Sequence, residues 1–333
     1  MKNKIKYKIK LIICYIGTFP EYFPLWLRSC EKNPTIDFMI VTDQNKPEWY
    51  PGNVSFLKTS INGIHSRFQR KIDFKISLES PYKLCDYKPL YGLAFENELL
   101  GYDFWGHCDI DLVWGDIRSF VTDEVLDKYD RIGGLGHFTI YRNTKRINGI
   151  FTLSGGTFSY REVFMNAENF AFDEITGMNL ICQKNKVSFF EDLNIADISY
   201  YYSRLRLDKT YHPYELFYWD KGHCYREYII DNELTRENIM YIHFQRRKLK
   251  NFIDRPNLVN SFMIKEDGFY ENDTEVIDMN YISNYCTFGD YKFEQREKRQ
   301  YIINKIKNVI KKTRKEKYIW VKQQIALKEY NKN

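Results

Sequence analysis

The first 43 residues leave few folds open, because apolar and turn-forming segments alternate at a fixed spacing. Ile9–Ile16 reads as a buried strand and Gly17-Thr18-Phe19-Pro20 as the loop after it. Leu25–Cys30 fits a helix begun near Pro24, and Asp37–Val41 is a second strand that ends in Thr42-Asp43. Strand, loop, helix, strand at this spacing makes a βαβ unit and therefore a parallel sheet. Ligands of such sheets bind beyond the carboxyl ends of the strands, where Gly17 and Asp43 both fall. The plainer alternative is that Gly17 only makes the turn and Asp43 caps the segment after it.

A second constraint lies in mid-chain, in Y-D-F-W-G-H-C-D-I-D-L-V-W-G-D-I, residues 102–117. Tyr102–Trp105 suits a buried strand. Asp109 and Asp111 come next with apolar Ile110 between them, so on an extended backbone both carboxylates point to one side. Two such close charges repel unless a hard cation lies between them or one holds a proton. Mg2+ and Mn2+ take oxygen ligands, often supplemented by substrate phosphates. The expectation is a divalent-metal site that grips a diphosphate. A D-x-D triplet alone is a weak signal; Trp105 and Trp114 on either side argue against a solvated turn.

Length allows one large domain or two moderate ones. Tyr and Phe number 27 and 24, which suits strands, a bulky core and sugar-stacking surfaces alike. No run of 18 apolar residues is present, so no membrane span is expected. The apolar stretch Leu11–Ile16 is too short for a signal-peptide core. Seven cysteines without a C-x-x-C pair suggest reduced thiols in a cytoplasm and argue against structural zinc. Residues 290–333 carry +9 of charge against +6 for the whole chain, so the remainder is net −3. The basic character belongs to the tail, which makes a nucleic-acid-binding main domain a poor reading.

Between these landmarks, Val54–Leu57 reads as a short strand and Ile64–Ser80 as helical. In S-P-Y-K-L-C-D-Y-K-P, residues 80–89, Lys83 and Asp86 stand at helical spacing. Further on, Ile117–Asp127 reads as a helix. Arg131–Tyr141 holds Gly133-Gly134 and His137 in a strand-like run. Phe151–Tyr160 sets Gly155-Gly156 beside a strand, where glycines let a ligand approach the backbone; a hairpin turn is the local alternative. Asp173-Glu174 is a second acidic pair, which serves equally as an acidic first turn before a helix over Ile175–Cys182. Ile239–Lys250 contains a strand that delivers His243, with Arg246, Arg247 and Lys248 behind it. A lone histidine on a strand is usually a satisfied core residue.

The order strand and loop at Ile13–Gly17, Lys83-x-x-Asp86, helix, aromatic strand and Asp109-x-Asp111 resembles a GT-A glycosyltransferase. More closely, I-C-Y-I-G-T-F-P-E-Y-F-P-L-W-L, S-P-Y-K-L-C-D-Y-K-P and F-W-G-H-C-D-I-D-L-V-W-G-D-I resemble an uncharacterised bacterial family found in capsule and lipopolysaccharide gene clusters. The resemblance covers roughly residues 8–250. His243-x-x-x-x-Lys248 is similar to the element that closes the donor site in glycogenin-like and lipooligosaccharide galactosyltransferases, although Gln245-Arg246-Arg247 replaces the expected glycine-containing middle.

The resemblance implies an α/β fold: a Rossmann-type mixed sheet flanked by helices, over residues 1–255. Residues 256–333 then form an extension ending in a basic amphipathic helix. It implies a metal-dependent transferase, hexosyl by expectation, that uses a nucleotide-diphosphate sugar. Asp109, Asp111 and His243 would hold Mn2+ or Mg2+. Lys248 would meet the diphosphate, with Lys83 as a further phosphate contact. Ile16, Gly17, Asp43 and Asp86 would read the nucleoside. Asp173 or Glu174 would serve the acceptor hydroxyl or the donor sugar. The acceptor would be a surface glycan, lipid-linked, with the basic tail lying on the inner face of an anionic membrane. Two other readings fit clustered carboxylates: a metal-dependent phosphotransferase or hydrolase, and a non-catalytic binder of nucleotide sugars.

Overall fold

The computed structural model describes residues 6–202, 204–207, 210, 212–272, 274, 276–285 and 291–331. The strands, in chain order, begin with β1 (Ile9–Tyr15), β2 (Ile36–Thr42), β3 (Val54–Lys58) and β4 (Phe104–Cys108). Next come β5 (Leu112–Trp114), β6 (Arg131–Leu135), β7 (Phe138–Arg142), β8 (Phe189–Phe190) and β9 (Ala196–Asp197). The remainder are β10 (Glu215–Asp220), β11 (His223–Ile230), β12 (Glu233–Ile239), β13 (Tyr241–His243), β14 (Lys250–Asn251), β15 (Ser261–Ile264) and β16 (Gly268–Glu271).

The central sheet runs β3-β2-β1-β4-β7-β6-β8. β3, β2, β1 and β4 are parallel, and β7 then turns the sheet antiparallel against β4. The expected βαβ unit is present, with helix α1 (Phe23–Glu31) as its crossover. β1 and β2 are apolar along their length because both faces are covered. Leu11, Ile13, Phe38 and Ile40 pack against Trp26 of α1. Ile12, Met39 and Val41 point the other way, against helix α2 (Ile61–Gln69) and the helical turns of residues 81–94. The sequence expectation of an α/β class with a mixed sheet between helices therefore holds. The helix expected over Ile64–Ser80 stops at Gln69, and Gln69 turns the chain by donating to the carbonyls of Ile72 and Phe74.

A three-stranded sheet, β5-β13-β9, and a six-stranded sheet, β12-β11-β10-β15-β16-β14, complete the body. Trp219 of β10 donates its indole N–H to the Trp114 carbonyl of β5 at 2.8 Å and so joins the two. The division expected between residues 255 and 256 cuts this sheet, because β15 pairs with β10 across it.

The basic tail forms two helices, Tyr291–Lys311 and Arg314–Tyr330. The second is opened by a Thr313–Glu316 capping box and docks on the body: Ile319 is buried, and Lys315 meets Glu168 at 2.7 Å. The apolar stripe Ile302, Ile303, Ile306 and Ile310 of the first is exposed. Among the described residues no helix is long and apolar enough to cross a membrane.

Candidate functional site

Strand pairing alone assembles the acidic site. Asp109 and Asp111 follow β4 at the carboxyl end of the parallel strands. β13 lies between β5 and β9, so His243 stands opposite Leu112 on one side and Asp197 on the other. The backbone N–H of Phe244 donates to the Asp111 carbonyl at 2.8 Å and locks this register. Ligand atoms of Asp109, Asp111 and His243 come within 4.8 Å of one another. The same holds for His137, Asp197 and His243.

His243 is buried between two carboxylates. Its Nδ1 lies 2.7 Å from Asp197 Oδ1, and its Nε2 lies 3.3 Å from Asp111 Oδ1. Burial works against a charged ring, but bonding to Asp111 and Asp197 outweighs it and raises the pKa to about 10. His137 stacks on His243 with ring centroids 4.0 Å apart, and its Nδ1 is paired with the Tyr241 hydroxyl at 2.9 Å. Burial and the neighbouring His243 push His137 down to about 3.

Lys88 ties the carboxylates together. Its ammonium donates to Asp109 Oδ1 and to the Gly136 carbonyl, both at 2.7 Å, and lies 3.4 Å from Asp173 Oδ2. Burial opposes the Lys88 charge, yet Asp109 and the other anionic neighbours hold its pKa well above the ordinary value. Burial likewise works to raise Asp109, and Lys88 overrides it and keeps Asp109 low. Asp173 is almost wholly buried, and this raises it to about 8 despite Lys88. Loss of water also raises Glu174, which opens more to the cleft. Gly136 explains how the acidic pair fits: a Cβ there would stand 2.8 Å from Asp173 Oδ2 and 2.9 Å from Glu174 Oε1.

Two cavities meet over this cluster, of about 410 and 350 Å3. Both are walled by Tyr82, Lys88, Asp109, Asp111, Gln245 and Arg246. The larger continues over Ile13, Tyr15, Ile16, Pro20 and Tyr22, an apolar and aromatic surface that suits a planar ring. The smaller continues over Gly136, His137, Asp173, Glu174 and Asp197, a surface of acceptors that suits hydroxyl groups. Arg246 bridges the rim by donating to the Tyr82 hydroxyl at 3.0 Å.

The structure thus brings together Asp109, Asp111, His243, Asp173, Glu174 and the Ile16 wall. Gly17 and Asp43 lie where expected, beyond β1 and β2, but are joined to each other: the Gly17 N–H donates to Asp43 Oδ1 at 3.0 Å. Gly17 has φ +121°, a conformation that favours glycine in this loop.

Lys83 and Asp86 are corrections. Both side chains are fully buried and paired at 2.8 Å, away from either cavity. Lys83 also donates to the carbonyls of Val163 and Glu168, while Asp86 accepts the backbone N–H groups of Phe170 and Phe172. The pair clamps the loop that leads to Asp173, and neither side chain lines the cleft. Lys248 is exposed and lines neither cavity, because the turn after β13 aims Gln245, Arg246 and Arg247 at the cleft instead. Gly155 and Gly156 accept the helical segment at Ile181, with a Cβ on Gly155 only 3.0 Å from Ile181 Cα, so they serve packing and no ligand approach.

Sequence reasoning passed over Lys88, Asp197 and Arg246 as site residues. Lys88 lies two positions after Asp86, about 200° around a helix, and thus on the opposite face. The available signal was that only one of those faces can be core. Asp197 sits on a two-residue strand and carries no motif.

The family described as "Family of unknown function (DUF6625)" matches residues 11–273. A search of curated proteins gave no match. Among solved structures, the chain is similar to the galactosyltransferase LgtC in complex with donor and acceptor sugar analogues. There the identity is 9% and the TM-score 0.35, over 56% of this chain and 75% of that one. It is also similar to the apo form of the glycosyltransferase GlyE in Streptococcus pneumoniae TIGR4. That match has 11% identity and a TM-score of 0.32, over 56% of this chain and 45% of that one. At these scores the likeness carries no argument about activity.

Proposed function

We propose that this chain, which belongs to the DUF6625 family of unknown function, transfers a sugar from a nucleotide-diphosphate donor to a cell-surface glycan with the help of a divalent metal. One observation carries the reading: Asp109, Asp111 and His243 converge at the carboxyl edge of a parallel sheet, under a cleft with one aromatic and one acidic lobe. The donor set fits Mn2+ or Mg2+. It offers two carboxylates and an imidazole, and Asp111 Oδ1 is buried with only the His243 ring edge at 3.3 Å beside it. Such an ion supplies positive charge for a leaving diphosphate.

The chain's own groups do the rest. Tyr15, Tyr22 and Ile16 cover the base and ribose. Arg246, at the junction of the lobes, takes the phosphate role that the resemblance gives to Lys248. Asp197 fixes the His243 ring through Nδ1. Glu174, the more open acid, faces the acceptor hydroxyl. Asp173, with a pKa near neutrality, holds a donor-sugar hydroxyl or a proton in transit. The exposed isoleucines of helix Tyr291–Lys311, set among lysines, suit an anionic membrane that carries a lipid-linked acceptor.

The test is hydrolysis or transfer across a panel of nucleotide-diphosphate sugars with Mn2+ or Mg2+. Asp111→Ala should abolish turnover and leave thermal unfolding unchanged. Full turnover in that variant, or in excess chelator, rejects the metal role.

A further inference from the structure

The outward face of the six-stranded sheet carries a third cavity, of about 420 Å3, that shares no wall with the cleft. Alternation along β10 creates it. Phe217 and Trp219 pack on one face of the sheet, while Tyr218 and Asp220 lie on the other, where Tyr218 is buried with Leu216, Met263 and Ile282 and Asp220 reaches the cavity. Its size falls within the range of small-ligand sites.

The lining combines two kinds of surface. Tyr218 and Tyr225 are cross-strand partners with ring centroids 5.1 Å apart and planes 29° from parallel. Tyr225 is half-buried, so its ring presents apolar area together with a hydroxyl. Beside the rings, Asp220 and Ser261 face each other across β10 and β15, and Asn272 donates to the Ser261 hydroxyl at 3.0 Å. Among the described residues the Asp220 carboxylate has no hydrogen-bond or ion-pair partner, and all its acceptor sites are free.

Charge narrows the ligand class. Asp220 offsets Lys221, and Arg236 bonds to Glu227, whose side chain is buried behind the wall. The lining is thus near neutral and does not favour phosphate or nucleic acid. The exposed part of the Tyr225 ring, stacked on Tyr218 and with the Arg236 guanidinium over it, beside an unpartnered carboxylate, amides and a hydroxyl, matches a pyranose, which has an apolar C–H face and a rim of hydroxyls.

We propose that this cavity is a second binding site for a neutral sugar unit, remote from the cleft. The proposal stands whether or not the cleft transfers sugar. The unit comes either from a free sugar or from one residue of a glycan chain. The test uses the full chain and saturation-transfer NMR. The probes are the methyl β-glycosides of glucose, galactose and N-acetylglucosamine, and the chains maltotriose and cellotriose. At least one probe should receive saturation. Asp220→Asn and Tyr225→Ala should each weaken it by about tenfold or more, and Asp111→Ala should leave it unchanged. Asp220→Asn removes no protein contact, so it reports even if Tyr225→Ala folds poorly. Tighter binding of a trisaccharide than of its methyl glycoside identifies a glycan chain, and equal binding identifies a free sugar. No saturation with any probe, full binding in Asp220→Asn, or loss in Asp111→Ala overturns the proposal.

Discussion

Two lysines five residues apart on the helical turns of residues 81–94 are each paired with an aspartate, and the two pairs do opposite things. Lys83–Asp86 is sealed, with one carboxylate, two carbonyls and two backbone N–H groups matching every charge. Burial lowers the lysine and raises the aspartate, and each partly offsets that shift in the other. Lys88–Asp109 opens on a cleft that also holds Asp111, Asp173, Glu174 and Asp197, with His243 shared between Asp111 and Asp197. There Asp109, with its neighbours, overrides burial and holds Lys88 charged. A neutral, closed pair is a structural clamp; a cluster with more acids than bases calls for a cation.

The largest expected effect is on the sealed pair. Asp86→Ala leaves an uncompensated buried ammonium and should cost about 3–5 kcal/mol of stability, read by urea unfolding. The cleft residues should remain able to bind metal in whatever fraction stays folded. If stability is unchanged, the clamp reading fails. Lys88→Met should act the other way round. We expect transfer to fall about 100- to 1,000-fold, the scale of a lost charge-stabilising group, with a smaller loss of stability than Asp86→Ala. A Lys88 variant that unfolds but keeps its specific activity would merge the two pairs into one class.

Finer resolution comes from residues around the open pair. Asp197→Ala should weaken Mn2+ affinity about 10- to 100-fold by freeing the His243 ring, measured by calorimetry. Unchanged affinity would make Asp197 a bystander. The smallest effect should come from Arg246→Ala, a rise of about tenfold in KM for the donor with kcat nearly constant. Lys248→Ala, outside both cavities, serves as its control; an equal rise there would restore the phosphate role to Lys248.

The fold was largely legible in the sequence because its parallel strands are covered on both faces, which makes β1 and β2 plain apolar runs. The acid doublet was legible for a local reason, alternation on an extended backbone. His243 was reached through its motif, and its meeting with Asp111 depends on β5–β13 pairing across more than 120 residues. What the sequence hid was facing. Lys83, Asp86 and Lys88 look alike as polar residues on helical turns, and only the packing of Val163–Phe172 over one face decides which of them is sealed. The loop after His243 hid its direction for a similar reason: Gln245 adopts φ +53°, and this turn sends Arg246 inward and leaves Lys248 outside.

The most direct measurement is calorimetric titration of Mn2+, with pyrophosphate present, into the unaltered protein, Asp111→Ala and His243→Ala. One ion should bind the unaltered protein, and each variant should lose affinity about 100-fold or more, the equivalent of roughly 2.7 kcal/mol. Equal Mn2+ binding by all three proteins would contradict the account.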